Sequence, residues 1–221
     1  MIIIKIEKRI NNDVFYNYYY MDFYNNNYEI FSKSRVSIWS SVKLFIDSLP
    51  SFSTILDAGC GNCKNMYRND LIFTGIDNSR PLLEFCNVKY NNDLIESSIT
   101  SLPFKNNIFE YTISIAVIHH IESFIQRATA FEELLRVTSH KILISIWNRN
   151  NNRFYDNNQK IGDNNALVKW KIGDDYQYRF YHFFDEDEII GILNICKQKY
   201  NFEYKITTEQ TNYYIMITKI N

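Results

Sequence analysis

The residues best placed to do chemistry are the run Ile55-Leu56-Asp57-Ala58-Gly59-Cys60-Gly61-Asn62-Cys63 and an acid beyond it, Asp77, which closes the apolar run Leu71-Ile72-Phe73-Thr74-Gly75-Ile76. The first run reads as a buried strand entering a tight glycine turn, with a helix expected from Asn62. Glycines let the backbone approach a ligand, and a carboxylate at the end of the second strand, about 20 positions on, takes two ribose hydroxyls. The pattern therefore predicts a nucleoside pocket. Cys60 and Cys63 form a C-x-x-C, but both lie in the turn and no second pair completes a zinc site. Reduced cysteines and no metal are expected. The competing reading of Asp77 is a cap on the helix that begins near Ser79.

These residues need a scaffold. Val36, Trp39, Val42 and Phe45-Ile46 give one apolar helical face, and Pro50 ends it. Strands are predicted at 54–57, 71–76, 93–97, 109–116 and 141–147, with helices near 62–69, 79–88 and 122–137. Strand–helix alternation implies a parallel sheet covered on both faces. A helix at 185–200 and two β-rich runs, 202–208 and 213–218, follow. The short gap at 209–212 makes those runs a hairpin, so one strand is antiparallel. The expectation is one α/β domain over 1–221, a Rossmann-like seven-stranded sheet with the last strand reversed and helices on both faces. Within it, 1–50 is an N-terminal helical cap, 51–147 the cofactor-binding core, 148–180 a long asparagine-rich loop on the substrate side, and 181–221 the helix and hairpin.

The chain has 221 residues, 46% apolar and 16% aromatic, enough for a full core. Its formal net charge of −1 provides no global field for nucleic acid, so phosphate contacts must come from a local patch or a partner. No apolar run is long enough to span a bilayer. Met1-Ile2-Ile3-Ile4-Lys5-Ile6 is short and broken by Lys5, and does not read as a signal peptide. A cytoplasmic protein, present also in the nucleus, is the expectation.

The G-x-G of this turn is not followed by the third glycine that a dehydrogenase turn would carry. The D-x-G-x-G turn, Asp77, the Leu102-Pro103-Phe104 turn and the terminal hairpin together resemble the class I S-adenosylmethionine-dependent methyltransferases. That resemblance implies that Asp57 and Gly59 border the amino-acid moiety of the cofactor and that Asp77 binds the ribose. Gly61, Asn78, Ile99 and Ala116 complete the set. Ser98 stands where an acid usually accepts from the adenine amine, and its hydroxyl keeps one acceptor.

Further segments narrow the resemblance. Phe31-Ser32-Lys33-Ser34-Arg35 with Trp39, Ile115-Ala116-Val117-Ile118-His119-His120, Glu132-Glu133-Leu134-Leu135-Arg136-Val137, Ile144-Ser145-Ile146-Trp147, Val168-Lys169-Trp170 and Tyr178-Arg179-Phe180-Tyr181-His182 look like the wobble-uridine tRNA carboxymethyl methyltransferases. This family includes the methyltransferase domain fused to the AlkB-homologue tRNA hydroxylase, and the similarity runs from about Asp13 to Thr218. The usual Pro-Gly-Gly turn before the fifth strand is replaced by Val137-Thr138-Ser139-His140, read as a shortened surface turn.

The resemblance implies methyl transfer to the carboxylate of 5-carboxymethyluridine. A carboxylate with a pKa near ~4 is ionised at neutral pH, so no general base is required. The enzyme must align the reacting groups and exclude water. Arg35, His119, Arg179 and His182 are the candidates for orienting the acceptor, and Trp147 for stacking on its base. His120 is expected to point the other way along an extended strand. The implied partners are the tRNA anticodon loop and a small zinc-containing activator subunit, with edge strand 93–97 as its seat. A small-molecule methyltransferase acting on a lipid or quinone-like acceptor, and a non-catalytic partner subunit of the same fold, are the alternatives.

Overall fold

A computed structural model describes residues 12–87, 93–150 and 158–220. The first stretch of the expected cap, 1–11, and positions 88–92 and 151–157 lie outside the described residues, as does the predicted end of the third helix at Val88. The elements are α1 (Asn12–Ser34), α2 (Ser40–Asp47), β1 (Thr54–Ala58), β2 (Ile72–Asp77), α3 (Arg80–Asn87), β3 (Asp93–Glu96) and β4 (Phe109–Ile115). They continue with α4 (Phe124–Val137), β5 (Thr138–Trp147), β6 (Gln159–Lys160), β7 (Asn165–Ile172), β8 (Asp175–His182), α5 (Glu186–Lys197), β9 (Phe202–Glu209) and β10 (Asn212–Lys219).

Seven strands form the main sheet in the order β3-β2-β1-β4-β5-β10-β9. The first five are parallel, and β10 is antiparallel to both β5 and β9. The reversed final strand is the one predicted. On one face, α4 and α5 pack Phe131, Leu134, Leu135 and Ile192 onto Ile142, Ile144 and Ile215. On the other, α2 and α3 pack Val42, Ile46 and Cys86 onto Ile55, Ile113 and Leu143. Cores on both faces explain why the second half of β5, from Ile142 to Trp147, reads as a near-continuous apolar run. Truncating fully buried Phe131 to Ala should cost about 3–5 kcal/mol. No helix among the described residues is long and apolar enough to cross a membrane.

Three local expectations are corrected. The segment 62–69 is a chain of turns, not a helix. Gly61 and Cys63 take positive φ (53° and 58°), which breaks helical geometry at its first residues. Asn62 spends its side chain on the carbonyls of Ser32 and Arg35, and the guanidinium of Arg68 caps α2 by donating to the carbonyls of Ile46 and Leu49. Residues 138–140 are the start of β5 rather than a turn: Thr138 pairs with Phe109, and its hydroxyl bonds the Leu134 carbonyl and the Thr112 hydroxyl.

The third correction concerns 148–180. This stretch is not a long loop, because 159–182 builds a second, antiparallel sheet in the order β6-β7-β8. Gly173, at φ 60° with open space around it, turns β7 into β8. The hairpin is fastened to α1, where Asn27 donates to Gln177 and Phe23 packs on the Trp170 ring.

Candidate active site

A cavity of about 940 Å³ opens at the C-terminal ends of β1, β2 and β4, between them, α1 and the β7–β8 hairpin. Its two ends differ in chemistry.

At the sheet end, Gly59 (φ 85°) lies so close to Val117 that an added Cβ would fall 2.3 Å from Val117 Cγ2. Only glycine fits there. The backbone N–H groups of Gly59 and Cys60 both donate to the Ile76 carbonyl, and Gly61 N–H donates to Asp77 Oδ2 at 2.9 Å. The other Asp77 oxygen accepts from Ser79 N–H at 2.9 Å. Asp77 thus ties the glycine turn to the start of α3 while lining the cavity, so the cap reading and the pocket reading hold together. Burial raises its carboxyl above the ordinary value, against these N–H donors.

Asn78, Ser98, Ile99 and Ala116 line the same end. Ser98 Oγ already accepts from Thr100 N–H at 3.2 Å and shares a hydrogen bond with the Thr100 hydroxyl. Ala116 closes β4 in a left-handed conformation (φ 61°), held by its N–H to Ser145. Asp57 is fully buried and does not line the cavity; it touches Asn65, which does. Asp57 Oδ1 has no hydrogen-bond partner, and burial pushes the carboxyl up to about 7.

The other end is aromatic and cationic. Trp147 stacks on Tyr181 with centroids 4.0 Å apart and planes at 14°. His119 stacks on the same tyrosine, and its Nδ1 faces the Trp147 N–H at 3.3 Å. A nitrogen that accepts a backbone N–H carries no proton, so this assignment leaves His119 neutral with Nε2–H as donor. Burial, reinforced by His120 and Arg179, holds its pKa well below the ordinary value.

His120 does not point away. Ile118–His120 form a 3-10 turn that brings both imidazoles to the cavity, 4.5 Å apart. His120 Nδ1 lies 3.0 Å from the Phe180 carbonyl, which can only accept, so Nδ1 carries the proton. Its Nε2 then accepts from the Tyr24 hydroxyl at 3.3 Å, and Tyr24 in turn accepts from Arg179 Nη1 at 2.8 Å. Burial first, then Arg179, pushes His120 down to about 3. A neutral relay, His120–Tyr24, therefore holds a guanidinium.

That guanidinium is the most unusual group here. Arg179 is only 5% exposed, stands 3.9 Å from the Trp170 ring centroid and 5.0 Å from that of Tyr181, and leaves its Nε without a hydrogen-bond partner. Among the described residues no carboxylate pairs with it. Arg35, exposed on the rim, lies over the same Trp170 ring at 5.0 Å. A buried cation without a counter-charge is expensive unless a ligand supplies one. The arrangement fits an anionic group set beside a planar ring.

His182 is not part of this site. Its Nε2 bonds Glu188 Oε2 at 2.6 Å and its Nδ1 faces Asn165 Oδ1, while Glu188 is ion-paired to Arg127. This network pins β8 to α4 and α5. Strand parity could have excluded it: side chains alternate, so if Arg179 and Tyr181 face the cavity, Phe180 and His182 face away. Tyr24, Trp170 and Tyr181 escaped notice as site residues. Tyr181 was within reach of the same parity argument, whereas Tyr24 is brought in only by the docking of α1.

Residues 56–143 match a family model described as a methyltransferase domain. A tRNA (carboxymethyluridine(34)-5-O)-methyltransferase of Arabidopsis thaliana is 41% identical over 120 residues, covering 53% of this chain but 30% of that protein. The chain thus spans less than a third of the plant relative. A Schizosaccharomyces pombe protein of the same name is 28% identical over 185 residues, covering 72% of this chain and 79% of its own. Among solved structures, a SAM-dependent methyltransferase from Methanosarcina mazei superposes with a TM-score of 0.68 at 16% identity, over 83% of this chain and 99% of that one.

Proposed function

We propose that this chain, which has the class I S-adenosylmethionine-dependent methyltransferase fold and carries a methyltransferase domain, esterifies the carboxylate of 5-carboxymethyluridine at the tRNA wobble position. The cofactor is S-adenosylmethionine, and the sheet end fits it. Gly59 leaves room where any side chain would collide, Asp77 keeps acceptor capacity toward a ribose, Ile99 offers an apolar wall for adenine, and Asp57 Oδ1 is an orphaned buried acceptor behind Asn65. Bound there, it supplies an electrophilic methyl group on a sulfonium.

The chain's own residues do the rest. Arg179, whose charge nothing in the described protein neutralises, orients the acceptor carboxylate, and Arg35 covers it from the rim. Neutral His119 donates Nε2–H without competing for the methyl group. The carboxylate enters ionised, so no base is required. The Trp147–Tyr181 stack forms the wall against which the uracil ring is placed and from which water is excluded. Once esterified, the acceptor loses its charge and its hold on both arginines, which favours release.

The observation that carries this reading is the buried, uncompensated Arg179. A lipid or quinone-like acceptor would leave it unpaired. The likeness to the carboxymethyluridine methyltransferases supports tRNA as the carrier of that anion. Edge strand β3, paired on one side to β2 and with Ile95 36% exposed, supports the further reading that a small zinc-containing activator subunit adds a strand there. Nucleoside mass spectrometry of tRNA from cells lacking the protein tests the function. Accumulated 5-carboxymethyluridine with loss of its methyl ester is expected; unchanged methyl ester would refute it.

A further inference from the structure

The β7–β8 hairpin has a second face that the cavity does not use. Directly opposed residues of an antiparallel pair share a face. The register pairs Lys169 with Tyr178 and Lys171 with Tyr176, so these four project together. The alternate residues Trp170, Gln177, Arg179 and Tyr181 belong to the side that faces α1 and the cavity.

All four outward residues are exposed, with Tyr176 at 50% and Tyr178 at 46%. Lys169 Nζ sits 3.8 Å from the Tyr176 ring centroid, across the diagonal. The strand positions of this face carry no acid. Asp175 pairs with Ile172 on the cavity side, and Asp174 lies in the turn. The two lysines are two residues apart, or about 6.6 Å along a strand, comparable with the step between neighbouring phosphates of an extended polynucleotide. Cations alternating with half-exposed planar rings are what single-stranded nucleic acid binds, phosphates to the cations and bases on the rings.

We propose that this Lys169–Lys171–Tyr176–Tyr178 ladder is a docking surface for a single-stranded RNA segment, the nucleotides flanking the one that enters the cavity. The inference rests on the RNA reading given above. It gives a chain of net charge −1 a local pair of cations for a polyanion, Lys169 and Lys171, on the same small sheet that carries Arg179.

The test uses the full chain with its cofactor product, a fluorescent anticodon stem-loop RNA and a salt series. In Lys169→Gln/Lys171→Gln the slope of log affinity against log salt should fall by about 1.4, the share of two single-strand phosphate contacts. In Tyr176→Ala/Tyr178→Ala affinity should fall roughly tenfold or more. Cofactor affinity and melting temperature should not move, since these are surface positions. Ultraviolet crosslinking of the unaltered protein should join loop nucleotides to Tyr176 or Tyr178, a readout independent of variant folding. Wild-type affinity and slope in both double variants, or crosslinks only elsewhere, would overturn the surface while leaving the enzymatic reading intact. Variants that lose a protein partner but keep RNA affinity would also overturn it. Stem-loop binding through this face, with no methylation of a carboxymethyluridine stem-loop when S-adenosylmethionine and the activator subunit are supplied, would overturn the enzymatic reading and leave the surface standing.

Discussion

Tyr24→Phe removes one oxygen and dismantles the neutral relay. In the wild type that oxygen accepts from Arg179 Nη1 at 2.8 Å and donates to His120 Nε2 at 3.3 Å. The first is a charged bond, worth about 1.5–3 kcal/mol, and the second is long and neutral, worth about 0.5–1 kcal/mol. Arg179 already has an unpartnered Nε, so the variant takes away the guanidinium's one hydrogen bond among the described residues. The expected loss of stability is about 2–3 kcal/mol, or roughly 5–10 °C in melting temperature for a chain of this size. Catalysis should suffer separately. A guanidinium no longer aimed at the acceptor should cost ~10- to 100-fold in kcat/KM on tRNA, equivalent to about 1.4–2.8 kcal/mol. Cofactor affinity, which the proposed function assigns to the glycine turn and Asp77 at the other end, should stay within a factor of about two. Steady-state kinetics on tRNA, calorimetric cofactor titration and a thermal melt read the three quantities. Unchanged kcat/KM with weakened cofactor binding would refute the relay.

Arg179→Met should abolish turnover while leaving the melting temperature unchanged or higher, because a buried unpaired charge is removed; Arg179→Lys should restore little, since an ammonium lacks the planar fork. A melt beside a radiolabelled methyl-transfer assay reads both, and a large loss of stability in Arg179→Met would contradict the absence of a counter-charge. His182→Ala should cost about 2–4 kcal/mol of stability by opening the Glu188–Arg127 network, with kcat on tRNA nearly unchanged at a temperature where the variant is folded; loss of kcat without loss of stability would return His182 to the site. Asp57 has a folded-state pKa of about 7, above its unfolded value near ~3.9, so its protonated form contributes stability that is present at low pH and lost as pH rises toward and through 7. Denaturant melts at pH 5 and pH 8 should therefore show Asp57→Asn gaining about 3 kcal/mol on the wild type across that interval, and a pH-independent difference would refute the buried, neutral carboxyl.

The glycine-turn end of the cavity was legible in the chain because its physics is local. Gly59 and Gly61 need positive φ, Asp77 follows an apolar strand, and both lie within one β–turn–β unit. The sheet was legible for the same reason, down to the reversed last strand, since hairpin length dictates direction. What escaped was of two kinds. The helix expected at 62–69 gives way to turns and the loop expected at 148–180 to a sheet, because polar residues there engage partners that the sequence does not show. Asn62 and Arg68 serve as caps for other elements, and the alternation Val168-Lys169-Trp170-Lys171-Ile172 of the hairpin lies inside a polar, asparagine-rich stretch. The Gly173-Asp174 turn between two alternating runs was the overlooked signal. The relay was out of reach for another reason. Tyr24 and Arg179 are 155 residues apart, and only the docking of α1 on β8 brings them together.

The central claim is that the cavity reads a carboxylate. The most direct measurement offers the purified chain, with its activator if one is required, two anticodon stem-loops that differ only in bearing 5-carboxymethyluridine or its carbamoylmethyl counterpart, with labelled S-adenosylmethionine. Ester formation on the carboxylate alone, with the neutral amide neither methylated nor competing at equal concentration, is the predicted result. Equal competition by the amide, or methylation elsewhere on both RNAs, would contradict the assignment of Arg179 as the group that selects the acceptor.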